Sequence, residues 1–328
     1  MTSLGNESGR SAGMRSALLV TASVVLVGSA ACGACGGDSS ESVPSSSTTN
    51  GDASTPDAPT SSQNNDNDAG DGTNPPGACG SDGVSPGYSS QSLVLGSETR
   101  TYGVVVPSTY DRKTAFPIVL SFHGDGGNGQ SMRGAGLEEQ ANGKAIFVYP
   151  DGPNQTWDLE TPPADNKDYQ FFDALLSELS KKYCVDTKKV FLFGFSRGGF
   201  FVNQLGCFRA SSVRALVAHS GGGPYSNDGN DFDARGWFKA CNAPPPAAMI
   251  IHGQSDTVVK AQAGQTSADH WRIANECQTS TNPCAPSPCA SYAGCPSDKP
   301  VVYCSIGGLD HALWDSAAKA AWGFFDSL

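Results

Sequence analysis

The chain has 328 residues, of which 16% are charged and 38% hydrophobic, with 39 Gly, 21 Pro and 11 Cys. A formal charge of −11 and a pI near 4.8 offer no basic surface for DNA, RNA or an anionic membrane. Beyond the N-terminal segment no apolar run approaches bilayer length, which sets aside nucleic-acid-binding and integral membrane proteins.

Arg10 and Arg15 precede the apolar stretch Ala17 to Val27, which is followed by Gly28-Ser29-Ala30-Ala31-Cys32. A basic start, a short apolar core and small residues at a cut site form the secretory pattern, and residues 1–31 are expected to be a signal peptide. Small residues directly before Cys32 resemble a bacterial lipoprotein signal, so Cys32 is the expected site of lipidation, with Cys35 as second candidate. Membrane attachment would come through that lipid alone. The expected location is extracellular or at the cell surface. Cys32-Gly33-Ala34-Cys35 also has the CxxC spacing of redox and metal sites, but no second ligand pair accompanies it.

Residues 32–76 are expected to be a tether. From Gly36 to Pro76 there is no Lys or Arg and there are seven acidic residues, and no aromatic residue occurs before Tyr88. Such a segment has little to bury against its ordering entropy. Residues 1–35 carry +1 and residues 36–76 carry −7, which leaves −5 of the total for residues 77–328. The acidity belongs mostly to the tether.

Residues 77–328 are expected to form one domain. Leu93 to Leu95 and Arg100 to Val106, around Gly96-Ser97, predict a hairpin. The runs Ile118 to Phe122, Ala145 to Tyr149, Val190 to Phe193, Ala215 to Ala218 and Ala248 to Ile251 are continuously apolar, as strands buried on both faces are. Val301 to Tyr303 is a last strand. Helices are expected over Phe171 to Tyr183, Gly199 to Phe208, Ser267 to Glu276 and Ala312 to Phe325. The alternation implies an α/β fold with a mainly parallel sheet covered on both faces.

Nine cysteines lie in this domain, at 79, 184, 207, 241, 277, 284, 289, 295 and 304. In an exported chain they are expected in disulfides. The odd one stays free or pairs outside the domain, with Cys35 as candidate. Cys277 to Cys304 is expected to be a stapled insertion before the last strand. Cys295 and Cys304 bracket only eight residues and are expected to pair.

Gly194-Phe195-Ser196-Arg197-Gly198 is G-x-S-x-G between a strand and a helix. A Ser on that turn is held in strained geometry above the sheet, beside the N–H groups of a helix start. A serine hydroxyl needs a His to take its proton and an acid to orient that His. In the order Ser, acid, His the partners are Asp256 and His311, each on a loop after a strand. Of the five His, His123 and His252 are expected to brace loops, His219 could line the cleft, and His270 is structural. Asp310 adjoins the His itself and Glu276 lies in a helix, so Asp256 is preferred to either. The backbone N–H groups of Arg197 and Asp125 are the expected oxyanion donors. Gly124, Gly126 and Gly129 also match a dinucleotide fingerprint, which stands outside any clear βαβ unit.

These residues resemble a family of extracellular α/β-hydrolases, the feruloyl esterases and polyhydroxybutyrate depolymerase-like enzymes. Arg100-Thr101-Tyr102, Val106-Pro107, His123-Gly124, Tyr183 to Asp186, Gly194 to Gly199, Ile251 to Asp256, Trp271 to Cys277 and the segment from Tyr292 to Trp314 carry the resemblance. Asp310 stands where a Gly is usual, and the Trp-Pro that follows the His in many members is absent. The resemblance implies an α/β-hydrolase fold with Ser196, Asp256 and His311 as the triad. The expected activity is a serine carboxylic-ester hydrolase with no cofactor and no metal. Feruloylated cell-wall polysaccharide is the first expected substrate, with polyhydroxyalkanoate or acetylated xylan next. His123, Trp157 and Trp314 are expected to line the substrate pocket. A non-catalytic surface-binding protein on the same fold, and a peptidase, are the other classes.

Overall fold

The computed structural model describes residues 79–81, 83–225, 231, 241 and 243–328. The expected signal peptide, Cys32, Cys35 and the tether lie outside the described residues. Among the described residues no helix is long and apolar enough to cross a membrane.

Among the described residues ten strands form one sheet. β1 (Gly87–Leu95) and β2 (Glu98–Val106) are the expected antiparallel hairpin, and β2 pairs antiparallel with β4 (Ile146–Pro150). From β4 the sheet runs parallel through β3 (Phe116–Phe122), β5 (Val185–Phe195), β6 (Ala215–His219), β7 (Ala247–Gly253) and β10 (Val301–Ile306). β9 (Cys289–Tyr292) and β8 (Thr281–Pro283) continue it antiparallel at the far edge. The order is β1-β2-β4-β3-β5-β6-β7-β10-β9-β8.

The apolar runs are continuous because each central strand feeds two cores. Ile118, Leu120 and Phe122 point into one and Val119 into the other; Leu192 opposes Phe191 and Phe193 in the same way. The first core is closed by α3 (Lys167–Lys182), α4 (Arg197–Phe208) and α5 (Ala261–Ala274) through Phe171, Phe201 and Trp271. The second is closed by the short α1 (Gly129–Arg133) and α2 (Leu137–Ala141) and by α6 (Ala317–Asp326), through Met132, Leu137 and Phe325. Asn166 caps α3 by accepting from the N–H groups of Asp168 and Tyr169, and Lys181 and Lys182 complement its C-terminal dipole.

α3 begins at Lys167, where Asn166 caps it, rather than at Phe171, and two further helix starts differ from expectation for identifiable reasons. α5 begins at Ala261 rather than Ser267 and contains Gly264, a poor helix former. A Cβ on Gly264 would stand 2.3 Å from His252 Nδ1, so glycine is what lets α5 approach β7. α6 begins at Ala317 rather than Ala312, because the residues after His311 spend their N–H groups holding that loop: Ala312 donates to Asp310 O and Trp314 to His219 Nε2.

The stapled insertion supplies β8 and β9, but its expected Cys295–Cys304 pair is wrong. Cys289 is bonded to Cys304 and Cys277 to Cys295. Cys289 faces Cys304 in the β9/β10 register, with Cα atoms 4.0 Å apart. Strand pairing, not nearness in sequence, chose the partner. Cys79–Cys184 and Cys207–Cys241 complete the pairs with both members described, and Cys284 is disulfide-bonded as well.

Candidate active site

Ser196 sits between β5 and α4 with φ 55° and ψ −121°, a conformation that non-glycine residues rarely adopt. Neighbouring glycines make the turn possible. A Cβ on Gly194 would lie 2.1 Å from Gly198 O, and one on Gly198 would lie 2.2 Å from Phe122 O. The Ser196 N–H donates to His219 O at 2.9 Å, which anchors the turn to β6.

Asp256 follows β7 and His311 follows β10, so all three residues leave the C-terminal edge of the parallel sheet. His311 Nε2 is 2.8 Å from Ser196 Oγ, and His311 Nδ1 is 2.8 Å from Asp256 Oδ2. The Asp256 side chain is fully buried. Burial alone would raise its pKa. The hydrogen bond from His311 and the N–H groups of Val259 and Val258, at 2.8 and 3.0 Å on Oδ1, outweigh burial and hold it below the usual carboxylate range. The acid is therefore an anion that keeps a proton on His311 Nδ1 and leaves Nε2 free to accept from Ser196.

Asp310, next to His311 in sequence, ties the two loops together. Its Oδ1 accepts from Thr257 N–H at 2.8 Å and Thr257 Oγ1 at 2.9 Å, joining the loop of the acid to that of the His. Ser255 N–H donates to Leu309 O at 3.0 Å beside it. His252 Nε2 donates to Val259 O at 2.9 Å, and burial lowers its pKa.

The N–H of Arg197 is the first of α4 and one of the unpaired donors of a helix start. The turn carrying Asp125 packs against the elbow, with the Gly124 Cβ position 3.0 Å from Ser196 Cβ. The Asp125 carboxylate accepts from Thr156 Oγ1 and lies 3.5 Å from Arg197 Nε. The Arg197 side chain also donates to Trp157 O at 2.6 Å and to both Glu160 oxygens at 2.8 Å. The arginine next to Ser196 thus uses its guanidinium to join the Asp125 turn to the Trp157–Glu160 loop. Nothing in the local sequence pattern marks that role, because Asp125 on one loop and Trp157 and Glu160 on another lie far from Arg197 along the chain.

The expectation that His123 and Trp157 touch substrate is corrected by their burial. Both are 0% exposed. Trp157 stacks on Phe201 with centroids 5.1 Å apart and donates Nε1–H to His123 O at 2.9 Å. His123 donates from Nδ1 to Gly124 O and accepts at Nε2 from Gly152 N–H, at 2.8 and 2.9 Å. They brace the loops from behind. Trp314, the third expected contact, is half-buried, three residues past His311.

His219 is fully buried rather than lining the cleft. Among the described residues, Cys207, Cys241 and His270 form the group spaced for a metal, but Cys207 and Cys241 are joined in a disulfide and offer no thiolates.

Parallel strands in this order, with a serine on the strand-to-helix elbow and an acid and a histidine on loops after later strands, define an α/β-hydrolase. The chain is 31% identical to "Probable feruloyl esterase C" of Aspergillus clavatus over 245 residues, covering 69% of this chain and 83% of that protein. It is 31% identical to "Feruloyl esterase C" of Emericella nidulans, with 69% and 83% covered, and to "Feruloyl esterase D" of Neurospora crassa, with 66% and 75% covered. The chain belongs to the feruloyl esterase family and is a carboxylic-ester hydrolase. No protein-family model matches it. The fold is shared with an acetyl xylan esterase from Aspergillus awamori, at TM-score 0.55 and 17% identity over 72% of this chain and 99% of that one. A fluorophosphonate-binding serine hydrolase of Staphylococcus aureus matches at TM-score 0.51 and 16% identity, over 74% and 99%.

Proposed function

We propose that the chain hydrolyses feruloyl esters of plant cell-wall polysaccharide through an acyl-enzyme on Ser196. The observation that carries the reading is the hydrogen-bonded line Ser196 Oγ, His311, Asp256, with 2.8 Å at each link. The acyl group is inferred from the relatives named feruloyl esterase. His311 Nε2 takes the Ser196 proton as Oγ bonds to the ester carbonyl carbon, and Asp256 stabilises the imidazolium. The carbonyl oxygen becomes an oxyanion facing the N–H groups of Arg197 and Asp125. As the carbon–oxygen ester bond breaks, the sugar alkoxide leaves with the proton from Nε2. Water, deprotonated by His311, then cleaves the acyl-serine, returning the proton to Ser196 and releasing the acid.

An assay panel of methyl ferulate, p-nitrophenyl acetate and a hydroxybutyrate oligomer, run beside Ser196→Ala, tests this. Methyl ferulate is expected to be preferred, and the variant should fold and lose several orders of magnitude in rate. Preference for acetate or hydroxybutyrate would reassign the substrate. An active Ser196→Ala variant would overturn the mechanism.

We further read the chain as exported, since buried disulfides form in oxidising compartments. Cleavage before Cys32, its lipidation and a tether over residues 32–76 belong to the same proposal. Mass spectrometry of the mature N-terminus checks it, and an unmodified N-terminus beginning elsewhere would refute it.

A further inference from the structure

At the Gly127 end of the Gly124–Gly127 turn lies a cleft of about 360 Å³, within the range of small-molecule sites. Gly127 N–H closes the turn on Gly124 O at 3.0 Å; Gly124 packs on the Ser196 side chain and Gly127 lines the cleft. The ends of such a turn lie less than about 7 Å apart. A ligand in the cleft is one turn of backbone from the nucleophile.

The lining is distinctive in kind. Tyr88 forms one wall, 46% exposed, ordered by contact with Gly103 and by the Arg133 guanidinium 4.5 Å from its ring centroid. Gln130, Asn154 and Gln155 are exposed around the rim. Among the described residues no cationic side chain lines the cleft. Its one carboxylate, Asp151, is already engaged: Oδ1 accepts from Gly129 N–H at 2.8 Å and Oδ2 from Thr101 Oγ1 at 2.7 Å. What remains free is carboxamide, which both donates and accepts, and phenol. That combination matches an uncharged ligand covered in hydroxyl groups.

Strain marks the same rim. Asn154 and Gln155 are successive non-glycine residues in left-handed conformation, with φ 53° and 62°. Such geometry persists where surrounding structure over-determines it, and it concentrates at ligand sites. Here Gln155 N–H donates to Gly152 O at 3.1 Å, and Gln155 O accepts from Gly126 N–H at 2.9 Å. The residue that edges the cleft therefore also holds the turn bearing the Asp125 N–H.

We propose that this cleft is a saccharide subsite that receives a sugar of the polysaccharide chain on which the scissile ester is carried. The proposal rests on the feruloyl-polysaccharide reading for its choice of sugar, and on the cleft's own chemistry for a neutral saccharide. Tyr88 and Gln130 contact the sugar from β1 and α1, and Asn154 and Gln155 from the strained turn. A sugar seated there presses on the support of the oxyanion turn, which favours an ester attached to a chain over a small methyl ester.

Calorimetric titration of the whole chain with ester-free arabinoxylan oligosaccharides tests it, with Tyr88→Ala and Gln130→Ala alongside. Saturable binding is expected, weakened about tenfold or more in each variant. The ratio of kcat/KM for a feruloylated oligosaccharide to that for methyl ferulate should fall by a similar factor, while circular dichroism shows both variants folded. No saturable binding with an unchanged ratio overturns the subsite, as does tighter binding of a neutral peptide than of the saccharide. A chain that binds the oligosaccharide but cleaves neither ferulate ester leaves the subsite standing and overturns the feruloyl reading instead.

Discussion

Trp314 donates its backbone N–H to Nε2 of His219, 3.0 Å away, and so fixes the turn that begins at His311. His219 is 0% exposed, its Nδ1 lies 3.0 Å from Ser220 Oγ, and burial pushes its pKa down to about 3. The ring is neutral, which is what allows Nε2 to accept. A neutral imidazole thus helps set the position of His311, the imidazole hydrogen-bonded to Ser196. Replacing it with His219→Phe leaves the Trp314 N–H without its acceptor, at a cost of about 1–3 kcal/mol. The larger effect is expected on kcat, by about 100-fold for a displacement near 1 Å, with KM little changed. Steady-state kinetics on methyl ferulate would show it; a variant with wild-type kcat would mean the loop holds its place unaided.

Stability is expected to decline as pH falls below neutrality. His219 and His270 are pushed by burial to about 3 and about 4, from an ordinary value of 6.5, and burial lowers His123 and His252 as well. Between the depressed and ordinary values the unfolded chain binds more protons than the folded one, so stability rises with pH there. Their contribution is complete above 6.5 and is lost as pH drops towards 3 to 4. Asp256, also lowered, has the same sign below its ordinary 3.8. Differential scanning calorimetry across this range should show a falling melting temperature. A flat profile from about pH 7 to pH 4 would mean that these rings are protonated in the fold.

The elbow should tolerate no side chain at position 198. A Cβ there meets Phe122 O at 2.2 Å and His123 O at 2.7 Å, both backbone atoms that cannot swing aside. Gly198→Ala is expected to cost about 3 kcal/mol, the upper end of overpacking, and to displace Ser196. Ser196→Gly should do the reverse, gaining on the order of 1 kcal/mol as the positive φ is relieved. Urea unfolding of the pair reads both signs at once.

The disulfide between Cys289 and Cys304 closes a separation of 15 residues. Loss of a loop that size costs about 3 kcal/mol in the chain-entropy view. Cys289→Ala with Cys304→Ala should therefore lower the unfolding free energy by about 3 kcal/mol, read from urea unfolding. It should also loosen β10, from whose end His311 departs. Peptide mapping without reduction is expected to recover Cys277 with Cys295 and Cys289 with Cys304. A Cys295–Cys304 peptide would contradict the strand register.

The parts legible in the sequence are those that local chemistry dictates. Continuous apolar runs announced strands buried on both faces, because a central parallel strand such as Phe116–Phe122 has no polar side to show. The place of Ser196 on the elbow was legible because a strained turn needs small residues at fixed offsets, and the meeting of Asp256 and His311 with it because each follows a strand on the same sheet edge. Pairings between distant loops left no such trace. Cys289 meets Cys304 through β-register, His219 meets Trp314 across 95 positions, and Arg197 reaches Trp157 and Glu160 from another loop. Trp157 looked like a substrate contact because an aromatic in a loop carries no mark of the Phe201 it stacks on. Periodicity and turn chemistry act within a few residues and so are written along the chain. Burial and hydrogen-bond partnership are properties of the packed molecule, and only the tertiary structure decides them.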